Sequence, residues 1–150
     1  MNVWRTASVA ALAAGILLSG ARAVADNSTS LYERLGGMPS IQAVTNDLVD
    51  CILADARVNK WFAHAASTPE NTKHYKSTLA SFLCQSTGGP CKYTGPDFAA
   101  VHKGRGITSE AFDAVVQDLV TVLEKYKVPE TEKSQLLQIL GPLKTVIVEK

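Results

Sequence analysis

GGPCKYTGPDFAAVHKGRGIT, residues 88–108, is the stretch on which the reading of this 150-residue chain turns. Glycine and proline crowd its start and glycine its end, and between them Pro96 can open a short helix at its first turn. Phe98 precedes His102 by four residues and so shares its helical face, with Val101 beside it. Gly104 and Gly106 then stop that helix. No Asp, Ser or Cys constellation surrounds the histidine, and by its residues alone such a side chain is more often satisfied or exposed than a cofactor ligand.

The amino-terminal 25 residues read as a secretory leader. Arg5 supplies the positive end, residues 7–19 form an apolar run too short to span a bilayer comfortably, and Ala23-Val24-Ala25 is a small-residue cleavage site. Ala21-Arg22-Ala23 is a second candidate site, and an uncleaved amino-terminal anchor is the alternative. The expectation is a signal peptide over 1–25 and one domain over 26–150, exported to the periplasm or beyond, with no stable membrane insertion after cleavage. Cleavage removes Arg5 and Arg22, so 15 basic residues become 13 against 14 acidic ones and the net charge falls from +1 to −1. Scattered lysines on a near-neutral chain lack the basic footprint that collects phosphates, which argues against nucleic acid as a partner.

The remaining chain reads as helices. Ser30 and Glu33 have capping-box spacing, Gly36-Gly37 closes a short first helix, and Pro39 starts a second. There Ile41, Val44, Leu48 and Ile52 fall on one stripe, widened by Val49 and Cys51. Asp55-Ala56-Arg57 ends it, and Val58, Trp61 and Phe62 cluster at a corner before a loop over 63–69 that carries His64, expected in solvent. Thr68-Pro69 starts a third long helix whose inner face runs through Tyr75, Leu79, Phe82, Leu83 and Ser86. Thr108 opens the next, with Phe112, Val115, Leu119, Val122, Leu123 and Tyr126 in register. After Val128-Pro129, Leu136, Leu140, Leu143 and Ile147 share a face of a last helix kinked at Gly141-Pro142. No segment alternates with period two for long, so the expected class is all-α.

Three cysteines leave an odd one over. The Cys84 to Cys91 spacing is wrong for a zinc knuckle and lacks the Cys-x-x-Cys-His of covalent haem attachment. It admits a disulfide across the glycine-rich turn in an oxidising compartment, or two unpaired thiols, because no spacing rule gives the distance between the alpha carbons. Cys51, among apolar neighbours, reads as a small core residue.

The segment 88–108 resembles the one that carries the proximal histidine in group I truncated haemoglobins. The likeness continues through LYERLGG (31–37), LADARV (53–58), FDAVVQDLV (112–120), VPE (128–130) and GPL (141–143), in order over residues 30–148. It implies a truncated globin, a 2-on-2 helical sandwich around one haem b per chain, with His102 as the axial iron ligand. By the same resemblance Phe62 stacks on the haem, Tyr93 lies against its edge, and Phe98, Val101, Ile107, Phe112, Val115 and Leu140 wall the pocket. Tyr75 and Leu79 occupy the third-helix positions facing the far side.

The far side departs from the family pattern. The second-helix tyrosine that usually hydrogen-bonds the bound gas is Val49 here, which leaves Tyr75 as the candidate donor. His74, about 100° round the helix, is an alternative sixth ligand, and Lys73 or Lys76 could reach a haem propionate. The implied function is binding of O2, NO or CO at the iron opposite His102, extending to NO-dioxygenase-type turnover with an unidentified electron donor. An exported peroxidase-like redox enzyme is the alternative, although Val49 and Leu79 offer no acid–base pair beside the iron. A haem-free helical adaptor is the third reading.

Overall fold

The computed structural model describes residues 29–150, so the expected leader and both cleavage sites lie outside the described residues. Among the described residues every regular element is helical, and no helix is long and apolar enough to cross a membrane.

Helix α1 (Leu31–Arg34) opens with the capping box: Ser30 Oγ accepts from Glu33 N–H at 3.2 Å, and Glu33 Oε2 accepts from Ser30 N–H at 2.9 Å. Helix α2 (Gly37–Ala54) begins two residues before Pro39, so the proline sits at its third position instead of its first. That costs nothing, because the first four amides of a helix have no partner within it. The stripe Ile41, Val44, Leu48 and Ile52 is buried and Val49 widens it, as expected, but Thr45 is fully buried as well. The reason is that α2 is covered on two sides, by α3 (Pro69–Ser86) and α5 (Ser109–Lys125). Burial of Thr45 leaves its hydroxyl without a hydrogen-bond partner. Cys51, read as core, is only half-buried at the core's edge.

A 3-10 turn, Asn59–Phe62, forms the corner. Arg57 holds it there by forking onto Asp55 and donating to Gln117 Oε1 of α5 at 2.8 Å. Thr68 caps α3, accepting from Asn71 N–H at 3.1 Å, with Pro69 as its first residue. Helix α4 (Phe98–His102) starts later than Pro96: Asp97 is its cap and accepts from Ala100 N–H at 2.9 Å. Thr108 caps α5, as its sequence position requires. Tyr126, expected on the buried face of α5, is instead 41% exposed. The helix ends at Lys125, and the Tyr126 hydroxyl finds its partner at the surface, donating to Asp47 Oδ2 at 2.8 Å. The kinked last helix proves to be α6 (Glu130–Leu140), a 3-10 step at Gly141–Leu143, and α7 (Lys144–Ile147). Pro142 has no N–H to continue α6, and the chain tightens past it.

Cys84 and Cys91 are disulfide-bonded, their alpha carbons 5.8 Å apart, inside the roughly 4.4–6.8 Å such bonds span. The bond ties the buried end of α3 to the loop leading to α4, closing a short ring of chain. Closing so short a ring is worth about 2–3 kcal/mol through the unfolded state. Cys91→Ser should therefore lower the urea unfolding free energy by about that amount, and a dithiol added to the wild-type protein should do the same. An unchanged urea midpoint under reductant would show that the ring adds no stability.

Candidate functional site

Between α2, α3, α4 and α5 lies a cavity of about 420 Å³, within the roughly 300–1,000 Å³ range of small-molecule sites. A smaller one of about 110 Å³, near Leu35, Val128 and Leu136, carries no histidine or cysteine. All eleven residues singled out from the sequence stand on the wall of the larger cavity. Phe62 comes from the corner, Tyr75 and Leu79 from α3, Tyr93 from the loop, and Phe98, Val101 and His102 from α4. Ile107 precedes α5, Phe112 and Val115 belong to it, and Leu140 closes α6.

His102 is half-buried, the one histidine on this wall that is not exposed, and its orientation has an identifiable cause. Its Nδ1 lies 2.6 Å from the Phe98 carbonyl oxygen one turn earlier. A carbonyl can only accept, so Nδ1 carries the proton and Nε2 keeps its lone pair free to bind a metal. The Phe98 ring stacks on the imidazole at 5.6 Å and packs on Phe82 of α3 at 4.4 Å. Phe82 in turn meets Tyr93 edge-on at 5.5 Å. Tyr93 is fixed at both ends, its backbone N–H donating to Gln85 Oε1 at 2.7 Å and its hydroxyl to Pro96 O at 2.8 Å. An aromatic column thus runs from the body of α3 to the histidine, each contact worth about 0.5–1.5 kcal/mol beyond burial.

Tyr75 supplies a half-buried phenol to the cavity wall. Its ring keeps surface toward the cavity and lies 5.8 Å from Phe62, while burial pushes the phenol up to about 12. Its hydroxyl has no hydrogen-bond partner among the described residues. Val49 is fully buried, and the α2 part of the wall is Leu48 and Ile52, so that helix offers no donor.

The rim is polar. His64 and His74 are exposed, as the loop position of His64 led one to expect, yet both also border the cavity, as do Asn71 and Arg105. Lys76 departs from expectation: its ammonium pairs with Asp50 of α2 at 2.6 Å and is not on the cavity wall. Lys73 is exposed and also off the wall. Arg105 takes that place at the rim, but two flanking glycines give its direction no sequence signal. Thr78 was missed although its signal was present. Residues 75, 78, 79 and 82 are an i, i+3, i+4, i+7 stripe, and only its polarity removed it from a list of apolar walls.

Among the described residues no group of three His, Cys, Asp or Glu could hold a metal ion. One imidazole with a free Nε2 suits a metal already held by a macrocycle, and the apolar walls suit the flat body of such a group. The cationic and imidazole side chains at the rim suit its carboxylates. The residues present therefore fit haem.

A family model described as bacterial-like globin matches residues 30–149. The chain is 32% identical over 114 residues to the group 1 truncated hemoglobin GlbN of Mycolicibacterium paratuberculosis, covering 76% of this chain and 80% of that one. To the Synechocystis GlbN it is 30% identical over 117 residues, covering 75% and 90% respectively. Among solved structures, the truncated hemoglobin from Tetrahymena pyriformis in its Fe(III) form superposes with a TM-score of 0.73 at 24% identity, covering 81% of this chain and all of that one. The 2/2 hemoglobin from Synechococcus, in the cyanomet state with covalently attached heme, gives 0.70 at 26% identity, with 81% of this chain and 100% of that one covered.

The phenol of Tyr75 carries a pH dependence of known sign. In the cofactor-free protein it should ionise near 12, against about 10 for an unfolded tyrosine. The stability this contributes is full below about pH 10 and is lost as pH rises through the folded value, a total of about 3 kcal/mol. Ultraviolet titration of phenolate should show a late step that disappears in Tyr75→Phe. A Tyr75 step near the ordinary value would mean that the hydroxyl reaches bulk water.

Proposed function

This chain belongs to the bacterial-like globin family, and from that premise we propose that it is an exported haem b protein, one haem per chain, that binds oxygen, nitric oxide and carbon monoxide. The observation that carries the reading is the hydrogen bond from His102 Nδ1 to Phe98 O, which presents Nε2 as a ready axial ligand. His102 Nε2 would hold a bound haem through its iron, and that iron would supply the binding of a small gas.

The chain's own residues divide the remaining work. Phe62, Ile107, Phe112, Val115 and Leu140 exclude water from the cavity, and Phe98 with Val101 holds the imidazole face. Tyr75, which borders the cavity and whose hydroxyl has no hydrogen-bond partner among the described residues, is the donor to a polarised ligand, a role Val49 and Leu79 cannot fill. Arg105, with His64 and His74, suits the haem carboxylates at the rim. We extend the reading to nitric oxide dioxygenation with an external electron donor, supported by the polar rim that leaves one edge of the cavity open to small reactants. Export is supported by the leader pattern over residues 1–25 and by the Cys84–Cys91 bond, since disulfides persist in oxidising compartments.

A peroxidase-like exported enzyme is the second reading, favoured by His64 and His74 on the rim. Peroxide turnover that collapses in His74→Ala would select it. Protein purified with added haem and lacking a Soret band would select the haem-free adaptor.

His102→Ala should strip or scramble the ferric and ferrous absorption spectra, while His74→Ala leaves them intact. The opposite pattern would reverse the two sides of the haem. A hydrogen bond to a polarised ligand is worth about 1.5–3 kcal/mol, so Tyr75→Phe should speed oxygen release about ten- to a hundredfold. Carbon monoxide, the less polar ligand, should respond much less. Oxygen release unchanged in Tyr75→Phe would remove the phenol from the ligand's surroundings.

A further inference from the structure

Helix α4 has five residues, and a helix so short does not hold its own shape in water. Its entry is secured by the Asp97 cap and the aromatic column, but beyond His102 the chain turns through Gly104 and Gly106, with φ of +77° and +64°. Both glycines lie in the left-handed region, where a side chain would be strained, and the turn contributes little hydrogen bonding of its own. Segment 148–150 folds back over this turn. The two oxygens of the Glu149 carboxylate accept separately from the backbone N–H groups of Gly104, at 2.5 Å, and Gly106, at 2.6 Å. The backbone joins in: Glu149 N–H donates to Ile107 O at 2.9 Å, and Ser109 N–H donates to Lys150 O at 3.0 Å. From the other side Trp61 Nε1–H donates to Arg105 O at 3.0 Å.

We infer that Glu149 is a positioning residue for His102, acting as a two-point clasp on the 104–106 turn that sets the pitch of the imidazole toward the cavity. The inference rests on the haem reading of that cavity. Two convergent amides are the kind of concavity that binds an anion, and here the occupant is a carboxylate of the chain itself. Those amides, first Gly104 and then Gly106, hold the Glu149 carboxyl below its ordinary range, with Lys150 and Lys103 adding to the effect against a smaller opposing cost of burial. The same terminal segment reaches the site twice, since Ile147 of α7 also stands on the cavity wall. A neutral amide at position 149 has one accepting oxygen, and in this geometry its NH2 would face the second N–H group, donor against donor, so both the charge and the two-oxygen geometry matter.

The test uses the whole protein as wild type, Glu149→Gln and Glu149→Ala. Partners hydrogen-bonded directly to a metal ligand typically cost about ten- to a hundredfold in metal affinity when removed, and Glu149 acts one step further out through the backbone of the turn, so Glu149→Ala should lose haem about tenfold faster to an apoglobin acceptor, the lower end of that range. Its iron–histidine stretching band in resonance Raman spectra should shift or broaden, with Glu149→Gln in between and the urea midpoint of the apoprotein little changed. Wild-type haem loss and an unshifted band in Glu149→Ala would overturn the inference. Hydrogen exchange at the Gly104 and Gly106 amides, followed in the apoprotein, separates this outcome from failure of the haem reading. If the wild type takes up no haem, that reading falls, and the clasp stands or falls on whether those two amides exchange faster in Glu149→Ala.

Discussion

A single hydrogen bond, from the imidazole of His102 to a carbonyl one turn back, decides what this cavity can do. It selects the tautomer, aims the free nitrogen and removes the ring's rotational freedom, and it exists only while α4 keeps its one turn of helix. Everything around α4 compensates for that brevity. The Asp97 cap and the column of Phe82, Tyr93 and Phe98 act before the histidine, and Trp61 and Glu149 act after it. The disulfide adds a covalent tie upstream, fixing the loop to the end of α3.

The cavity itself works against the fold. An open volume lined by Leu48, Ile52, Phe112 and Val115 forfeits contacts that a collapsed core would make, and such voids cost stability in proportion to their size. A ligand that binds the folded state alone returns that stability through mass action. At the periphery the Arg57 fork ties the corner to α5, and α2 packs against both α3 and α5, so the elements that carry the walls are joined to one another. Tyr75 fits the same account: burial in the wall disfavours its phenolate and keeps the hydroxyl a donor, which a ligand in the cavity would accept from.

Much of the site was legible from residue order, because the features involved are local. Caps at Ser30, Thr68 and Thr108 follow from one hydroxyl and the amide three residues on, and the α2 stripe follows from helical period. The wall of α3 was legible in Tyr75, Leu79, Phe82 and Leu83, but Ser86 stands off it, and the polar Asn71 and Thr78 stand on it. What failed were positions whose fate depends on a distant element. Tyr126 sits on the apolar register of α5 but is drawn out by Asp47, some eighty residues away in sequence, and Lys76 is taken by Asp50 of the neighbouring helix.

The sequence by itself determined the helical class, the cap and breaker positions, the histidine in its glycine-rich setting, and the resemblance that links them. These depend on contacts within about one helical turn, or on order along the chain. Only the tertiary structure decided that eleven scattered residues share one cavity, that Cys84 and Cys91 are joined, and that Val49 packs away from the cavity wall while Tyr75 borders it. It alone revealed that Glu149 closes on the turn behind His102, because a carboxylate and two amides more than forty residues apart meet only when α7 has been folded against α4. Side-chain direction across such a distance is set by packing, and packing is a property of the assembled fold that no short-range pattern encodes.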